Sequence, residues 1–271
     1  MASIYWLGTS TDTSTAGNYS GGSLPTTGDD LALLPEYTGA ITQNTYSLQS
    51  IAIGDFSVHP GNTSTIGSFS AYLKLDPDSF TFSGTGQAFI DLQSAAIDAT
   101  VNGSYKTSEP GKRGLYLKGS AIATLHVSGG DVGLAFIHGE TSTATNVKID
   151  SGTLNLGSGA TVTNATIHGG TLTTACNIAT LNVHGGTVYL DEASAITTLN
   201  LYQGTVIHRG TGTITTATIT GGVLDMDGTQ SRTITTLKIN PGGAINYDPG
   251  VVTITNKSDP DTPISITTSR M

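Results

Sequence analysis

Two histidines, His168 and His184, have the type and spacing that most clearly suggest chemistry, because each stands directly before a Gly-Gly pair. In the same alignment Asp150 takes this position one segment earlier and Tyr202 one segment later. Side chains at matching positions of stacked strands would lie about 5 Å apart. Such a row could bind a metal ion, line a contact between subunits, or form a polar outer face. We call these four residues the outward ladder and predict no resident metal in it.

Two carboxylates, Asp225 and Asp227, are a second candidate for chemistry. Residues two apart on a strand share one face, and glycoside hydrolysis uses a pair of carboxylates roughly 5 to 9 Å apart. The pair flanks Met226 and precedes Gly228, however, which is typical of an ordinary change from strand to turn. The sequence also lacks phosphate-binding, nucleophile-elbow, zinc-protease and calcium-repeat motifs. We therefore predict no catalytic residue, no cofactor and no enzymatic activity.

The composition excludes several classes of protein. The 271 residues carry a net charge of −9 and contain no stripe of lysine and arginine, which argues against a nucleic-acid partner. No apolar run approaches the ~18 residues that span a bilayer, so we expect no membrane partner. Cys176 is the single cysteine, which excludes a disulfide framework. The 35 glycines punctuate regularly spaced aliphatic residues, a pattern typical of an all-β chain.

A repeat of about 18 residues positions the candidate residues. Aliphatic residues recur two positions after each anchor of the repeat, and five and three positions before it. In the last coil one extra residue shifts the two upstream positions to Leu237 and Ile239. A spacing of two is the period of a β-strand, and no set of positions follows the spacing of a helix. Each repeat therefore consists of short strands that bend at a glycine. The anchors are the second residues of Gly-Gly or x-Gly pairs, at Gly130, Gly152, Gly170, Gly186, Gly204, Gly222 and Gly243.

A stack of such repeats predicts an all-β fold, the right-handed parallel β-helix, or β-solenoid. Coils of about 18 residues are too short for propeller blades, which take about 40 residues, and for helical repeats. Two or three short strands per coil, stacked about 4.8 Å apart, would pair with the neighbouring coils and bury a continuous aliphatic column. The right hand follows from the strong preference of parallel crossovers.

The repeat divides the chain into four segments. Residues 1–45 are predicted to form an N-terminal cap or anchor, because an open solenoid end has unpaired strand edges. Degenerate coils occupy 46–120 and regular coils 121–250. The polar segment 251–271 is predicted to close the other end or to pair with a neighbouring subunit. Five aromatic residues are expected to fill a wider interior in the degenerate coils: Phe56, Phe69, Tyr72, Phe80 and Phe82.

The N-terminal segment carries the pattern W-x-G followed by N-Y-S-x-G-x-x-P-x-x-G-D, which begins at Trp6 and ends at Asp29. It resembles the N-terminal segment of β-helical proteins of tailed-phage virions and bacterial surfaces, with Tyr19 in place of their usual second tryptophan. The resemblance covers residues 6–33. It implies a virion component such as a capsid decoration protein, a head spike or a tailspike, and it implies no catalytic residue.

We expect the chain to be a non-enzymatic structural protein of a phage virion, a capsid decoration, stabilising or head-spike protein anchored by one end. Trp6 and Tyr19 would cover the first coil, and with Asp29 and Asp30 they are candidate contacts to the capsid protein or other virion proteins. A homotrimer is the expected assembly. The chain opens without a recognisable secretion signal, so we expect assembly into the virion in the host cytoplasm.

The alternative, from another class, is a tailspike-like receptor-binding protein that binds or cleaves host surface polysaccharide. It predicts clustered exposed aromatic residues and a pair of carboxylates on one face. The regular coils offer three tyrosines for such a groove, Tyr189, Tyr202 and Tyr247. A bacterial adhesin passenger is a third interpretation, which the missing secretion signal disfavours.

Overall fold

Alternating aliphatic and polar residues build short strands that stack in parallel from coil to coil. The computed structural model is a β-solenoid of about 9 turns with ~19 residues per coil. This confirms the predicted parallel β-helix, and each regular coil contributes two strands. The residues that the structure describes are 2–8, 10–36, 39–41, 48, 51–104 and 112–257.

The strands are three to eight residues long, and a single 3₁₀ turn spans Ala16–Asn18 in the described part of the chain. In chain order the strands are β1 (Ser3–Tyr5), β2 (Asp30–Leu33), β3 (Ile53–Val58), β4 (Leu73–Leu75), β5 (Pro77–Phe82), β6 (Ala88–Leu92), β7 (Ile97–Val101), β8 (Leu115–Gly119), β9 (Ile122–Val127), β10 (Asp131–Leu134), β11 (Ser142–Ile149), β12 (Thr153–Leu156), β13 (Ala160–Ile167), β14 (Thr171–Thr174), β15 (Ile178–Val183), β16 (Thr187–Leu190), β17 (Ile196–Leu201), β18 (Thr205–His208), β19 (Thr213–Ile219), β20 (Gly222–Met226), β21 (Arg232–Ile239), β22 (Gly243–Tyr247) and β23 (Val252–Lys257).

The strands form two parallel sheets around one core. Strands β1, β2 and the odd-numbered strands from β3 to β23 make a first sheet of thirteen strands in the described residues. The even-numbered strands from β4 to β22 make a second sheet of ten. Because each strand pairs with its counterpart in the next coil, the backbone hydrogen bonds run along the length of the solenoid.

The register between coils places equivalent residues next to one another. In the first sheet Ile149 pairs with Ile167, which pairs with Val183, and the column continues through Leu201 and Ile219. All five side chains are fully buried. Burial of an aliphatic side chain of this size contributes about 1.5–3 kcal/mol. The aliphatic columns predicted from the glycine anchors are therefore confirmed as the core.

Glycine is required at the turn that follows each regular strand of the first sheet. Gly170 and Gly186 have φ angles of 73° and 75°, in the left-handed region. A Cβ atom on Gly186 would lie 2.5 Å from the carbonyl oxygen of Gly170 in the preceding coil, so the stacked turns exclude a side chain there. In the last coil an extra residue moves the left-handed conformation to Gly242, while Gly243 keeps its register with Gly222.

The aromatic residues of the early coils divide between the interior and the surface. Phe56 and Phe80 are buried inside the coil as predicted, and their rings stack with centroids 5.9 Å apart. The prediction for Phe69 is wrong, because this side chain is 66% exposed. It lies in a tight turn closed by two backbone hydrogen bonds between Ser68 and Ala71, which directs the ring away from the core.

The two ends of the solenoid are built differently. At the N-terminal end β1 pairs with β2 and β2 with β3, so the first sheet continues into the segment predicted as a cap. At the other end β23 is the last strand of that sheet, and residues 258–271 of the predicted C-terminal cap lie outside the described residues. Within the described part of the chain, no helix has the length and apolar character needed to cross a membrane.

Replacing Gly186 with alanine should destabilise the solenoid more than the same change at Gly139, where no atom lies within 4 Å of the added Cβ and φ is 85°. A left-handed alanine costs about 1–2 kcal/mol at either site. The overlap with the Gly170 carbonyl should add about 1–3 kcal/mol at Gly186 alone. Urea denaturation followed by circular dichroism measures both changes, and equal losses would contradict the stacked-turn explanation.

Candidate functional site

The outward ladder is positioned by the ends of four successive strands of the first sheet. Each strand ends on a buried aliphatic residue, so the next side chain points outward. The backbone N–H of His168 donates to Ile149 O at 2.8 Å, and that of His184 donates to Ile167 O at 2.7 Å. The N–H of Tyr202 donates in the same way to the preceding coil. These bonds place the four ladder residues in one row.

The rings of the ladder stack on one another at the surface. The centroids of His168 and His184 are 5.3 Å apart, with ring planes 32° from parallel. His184 and Tyr202 are closer, at 4.5 Å and 8°. Tyr202 is 46% exposed, so the stack forms a rigid, solvent-facing ridge of rings. Ring pairs in such geometry contribute about 0.5–1.5 kcal/mol beyond their buried area.

Asp150 joins three coils at one end of the ladder. Its carboxylate accepts hydrogen bonds from His168 Nδ1 at 2.8 Å and His126 Nε2 at 2.7 Å, and from Lys148 Nζ at 3.0 Å. Hydrogen bonds from Lys148, His126 and His168 hold the pKa of Asp150 well below its usual range. Asp150 therefore stays ionised and binds the strands β9, β11 and β13 to one another through their side chains.

Sequence reasoning missed His126 and Lys148, although a signal for them exists. The two residues are register partners in β9 and β11, and Lys148 lies two positions before Asp150. Alternate residues of a strand share a face. Aligning the residues two positions before the ladder, in the same way as the ladder itself, would therefore have predicted both residues beside Asp150.

The ladder offers hydrogen-bonding groups and ring faces, and the described residues include no group of three or more histidine, cysteine or acidic side chains placed to hold a metal ion.

The second candidate for chemistry, Asp225 and Asp227, forms a local turn. Asp225 Oδ1 accepts from the N–H of Asp227 at 3.0 Å and from Asn246 Nδ2 at 3.2 Å, while Asp227 Oδ1 accepts from Gly228 N. These carboxylate oxygens contact the chain's own backbone and amide groups.

Trp6 and Tyr19 lie in the interior of the N-terminal segment. Their rings meet edge to face with centroids 5.2 Å apart, and the Tyr19 hydroxyl donates to Thr13 O at 2.9 Å. The two side chains are 1% and 0% exposed. The prediction that they contact other virion proteins is corrected, since rings packed in the interior present no surface to a partner.

Asp29 and Asp30 accept hydrogen bonds that hold the first strands in place. Asp29 accepts hydrogen bonds from Ala2 N at 3.1 Å and from both the N–H and the hydroxyl of Thr26. The bonds to Thr26, followed by the one to Ala2, lower the pKa of Asp29. Asp30 Oδ1 accepts from Asp55 N at 3.0 Å. Both residues are partly exposed, so an assembly contact through them stays a prediction.

An aromatic cluster on the outer face of the second sheet was not foreseen. Phe89 and Tyr116 are register partners whose rings stack at 4.5 Å and 4°, and Tyr72 meets Phe89 edge to face at 5.7 Å. All three are at least nine-tenths buried, in a cluster separate from the main core. The prediction that Tyr72 fills the coil interior is therefore wrong. Strand β6 is buried along its whole length, and the apolar Phe89 at one of its outward positions was the available signal.

Comparisons with protein-family models, with curated proteins and with solved structures found no match for this chain. The resemblance of the N-terminal segment to virion proteins therefore stays a prediction, and functional proposals depend on the geometry of the solenoid and its surface.

Asp150→Asn should lower stability by about 1 kcal/mol or less at neutral pH, because the carboxylate is partly exposed and solvent screens its partners. The native pKa lies below the ordinary value of 3.8, so the ionised group stabilises the native state above that pH. This stabilisation is lost as the pH falls. The stability gap between the wild-type protein and the variant should therefore narrow toward acid pH.

Thermal denaturation from about pH 7 to about pH 2 measures this gap. Asp98→Asn removes an exposed carboxylate from β7 and serves as the matched control. A gap that does not narrow below about pH 4, or an identical profile for the control, would show that the ionised Asp150 carboxylate does not stabilise the fold.

Proposed function

We propose that this chain is a non-enzymatic structural protein of a phage virion, a stiff solenoid that decorates or stabilises the capsid or forms a head spike. The observation that carries the proposal is the continuity of the fold. One buried hydrophobic core extends from Ile4 to Val252, and parallel sheets flank it in the described residues. Each coil is hydrogen-bonded to its neighbours, which gives a rod that resists bending and local opening.

Polar side chains extend the bonding between coils to the outer surface. Asn164 Nδ2 donates to Asn146 Oδ1 at 3.1 Å, and Asn200 Nδ2 donates to Asn182 Oδ1 at 2.9 Å. Side-chain bonds between equivalent positions reinforce the register without adding charge. Such a surface supports a role as a scaffold exposed to solvent.

The N-terminal segment is the proposed anchoring end, because it carries the resemblance to virion proteins. Its hydrogen bonds support this role: Asp29 ties Ala2 to the turn at Thr26, and Asp30 ties β2 to Asp55. A firmly held end can transmit force from the particle to the rod.

If the chain is a virion component, purified particles of the phage that encodes it should contain many copies of it. Quantitative mass spectrometry of gradient-purified particles, with the major capsid protein as the internal standard, measures the ratio. A chain found only in the soluble fraction of the lysate would overturn the proposal.

We propose that the outward ladder lines the contact between subunits of a homotrimer. Tyr202→Asp should then shift the protein from trimer to monomer, because the new carboxylate would be buried against the partner's surface. Tyr5→Asp is the matched control, since Tyr5 is 39% exposed near the N-terminal end. Sedimentation equilibrium measures both variants, and a wild-type monomer or an unchanged Tyr202→Asp trimer would contradict the assignment.

A further inference from the structure

A cleft opens where two successive coils have turns of very different length. Between β8 and β9 the chain turns in residues 120–121, whereas between β10 and β11 it needs residues 135–141. The longer loop overhangs the shorter turn and leaves a cleft of about 540 Å³. Within the loop, Glu140 Oε2 accepts from Ile137 N at 3.1 Å, and Glu140 N donates to Ile137 O at 3.0 Å, so the loop has a defined shape.

The floor of the cleft carries a carboxylate and an ammonium group side by side. Asp91 and Lys118 are register partners in β6 and β8, and Lys118 Nζ lies 3.6 Å from Asp91 Oδ2. Their side chains are 12% and 28% exposed, and neither forms a hydrogen bond within the described part of the chain. The hydrogen-bonding capacity of the carboxylate and of the ammonium group is therefore open to water or to a ligand in the cleft.

Tyr72 adds a third incompletely satisfied group beneath the floor. Lys118 Nζ lies 4.3 Å from the centroid of its ring. The Tyr72 hydroxyl is buried without an aligned hydrogen bond in the described residues, although Glu140 lies close to it. Burial, together with the Glu140 and Asp91 carboxylates, raises the pKa of Tyr72 well above its usual value, so the phenol remains protonated as a donor.

We propose that this cleft binds a saccharide segment of one or two sugar units. A sugar hydroxyl both donates and accepts, so one hydroxyl can donate to Asp91 and accept from Lys118 at the same time. Glu140, on the overhanging loop, can accept from a further hydroxyl. Hydroxyl and amide groups line the remaining wall at Gln93 and Thr143, and the volume falls in the range of small-ligand sites, roughly 300–1,000 Å³.

The charges of the cleft select among saccharides. Two carboxylates, Asp91 and Glu140, face one ammonium group, so the site has a net negative charge and repels sugars that carry carboxylates. The polar lining also disfavours apolar ligands. The expected ligand is therefore a neutral saccharide or an amino-bearing one. This inference stands independently of the proposed virion function.

An array of neutral, amino-bearing and uronic-acid glycans, probed with the full chain, tests the proposal. We expect binding to neutral or amino-bearing members. Asp91→Asn, Lys118→Met and Glu140→Gln should each weaken binding at least tenfold. Glu192→Gln is the matched control, because Glu192 lies in the corresponding turn between β16 and β17 and outside the cleft, and it should bind as the wild type does. Circular dichroism confirms that each variant is folded.

Three results would overturn the inference: binding to no glycan on the array, binding confined to uronic-acid glycans, or equal loss of binding in Glu192→Gln. Release of new reducing ends that Glu140→Gln abolishes would support the cleft as a saccharide site and would overturn the non-enzymatic function proposed above. Absence of the chain from virions would overturn only that function and leave the cleft assignment in place.

Discussion

Hydrogen bonds between equivalent backbone groups of successive coils are the constraint on which the rest of this structure depends. They set a distance of about 4.8 Å from coil to coil and leave almost no freedom in register. A slip of one residue would turn the aliphatic column of Ile149, Ile167 and Val183 outward. The stacked turns tighten this constraint, because the backbone of Gly186 sits directly against Gly170.

The same constraint creates the ordered features of the surface. Outward residues that would be unrelated in another fold become neighbours, so the rings of His168, His184 and Tyr202 form a stack and Asp150 binds groups from three coils. In the interior, backbone carbonyl groups of the stacked coils also satisfy a buried polar side chain. Arg232 is 4% exposed and donates to Gly210 O at 3.0 Å and to Met226 O at 2.6 Å, so its charge is solvated by backbone carbonyls.

Clefts, in contrast to the ordered rows of surface side chains, arise where the turn length changes from one coil to the next. A regular turn copies the turn before it and leaves no room between coils. The seven residues 135–141 cannot lie on the two residues 120–121, and the mismatch creates a cleft beside Asp91, Lys118 and Glu140. The regular coils thus make the solenoid stiff, and the irregular turns create a concave surface where charged and polar side chains can bind a ligand.

The sequence alone determined the parallel coil, its core columns and the outward ladder, because the spacing of two around each glycine anchor is a local property that backbone pairing preserves. It did not determine that Phe69 is exposed or that Tyr72 lies outside the main core, since turn lengths in the early coils vary and spacing no longer marks a face. Only the tertiary structure decided the cleft, because its groups lie on strands and a loop whose proximity depends on how one turn overhangs another.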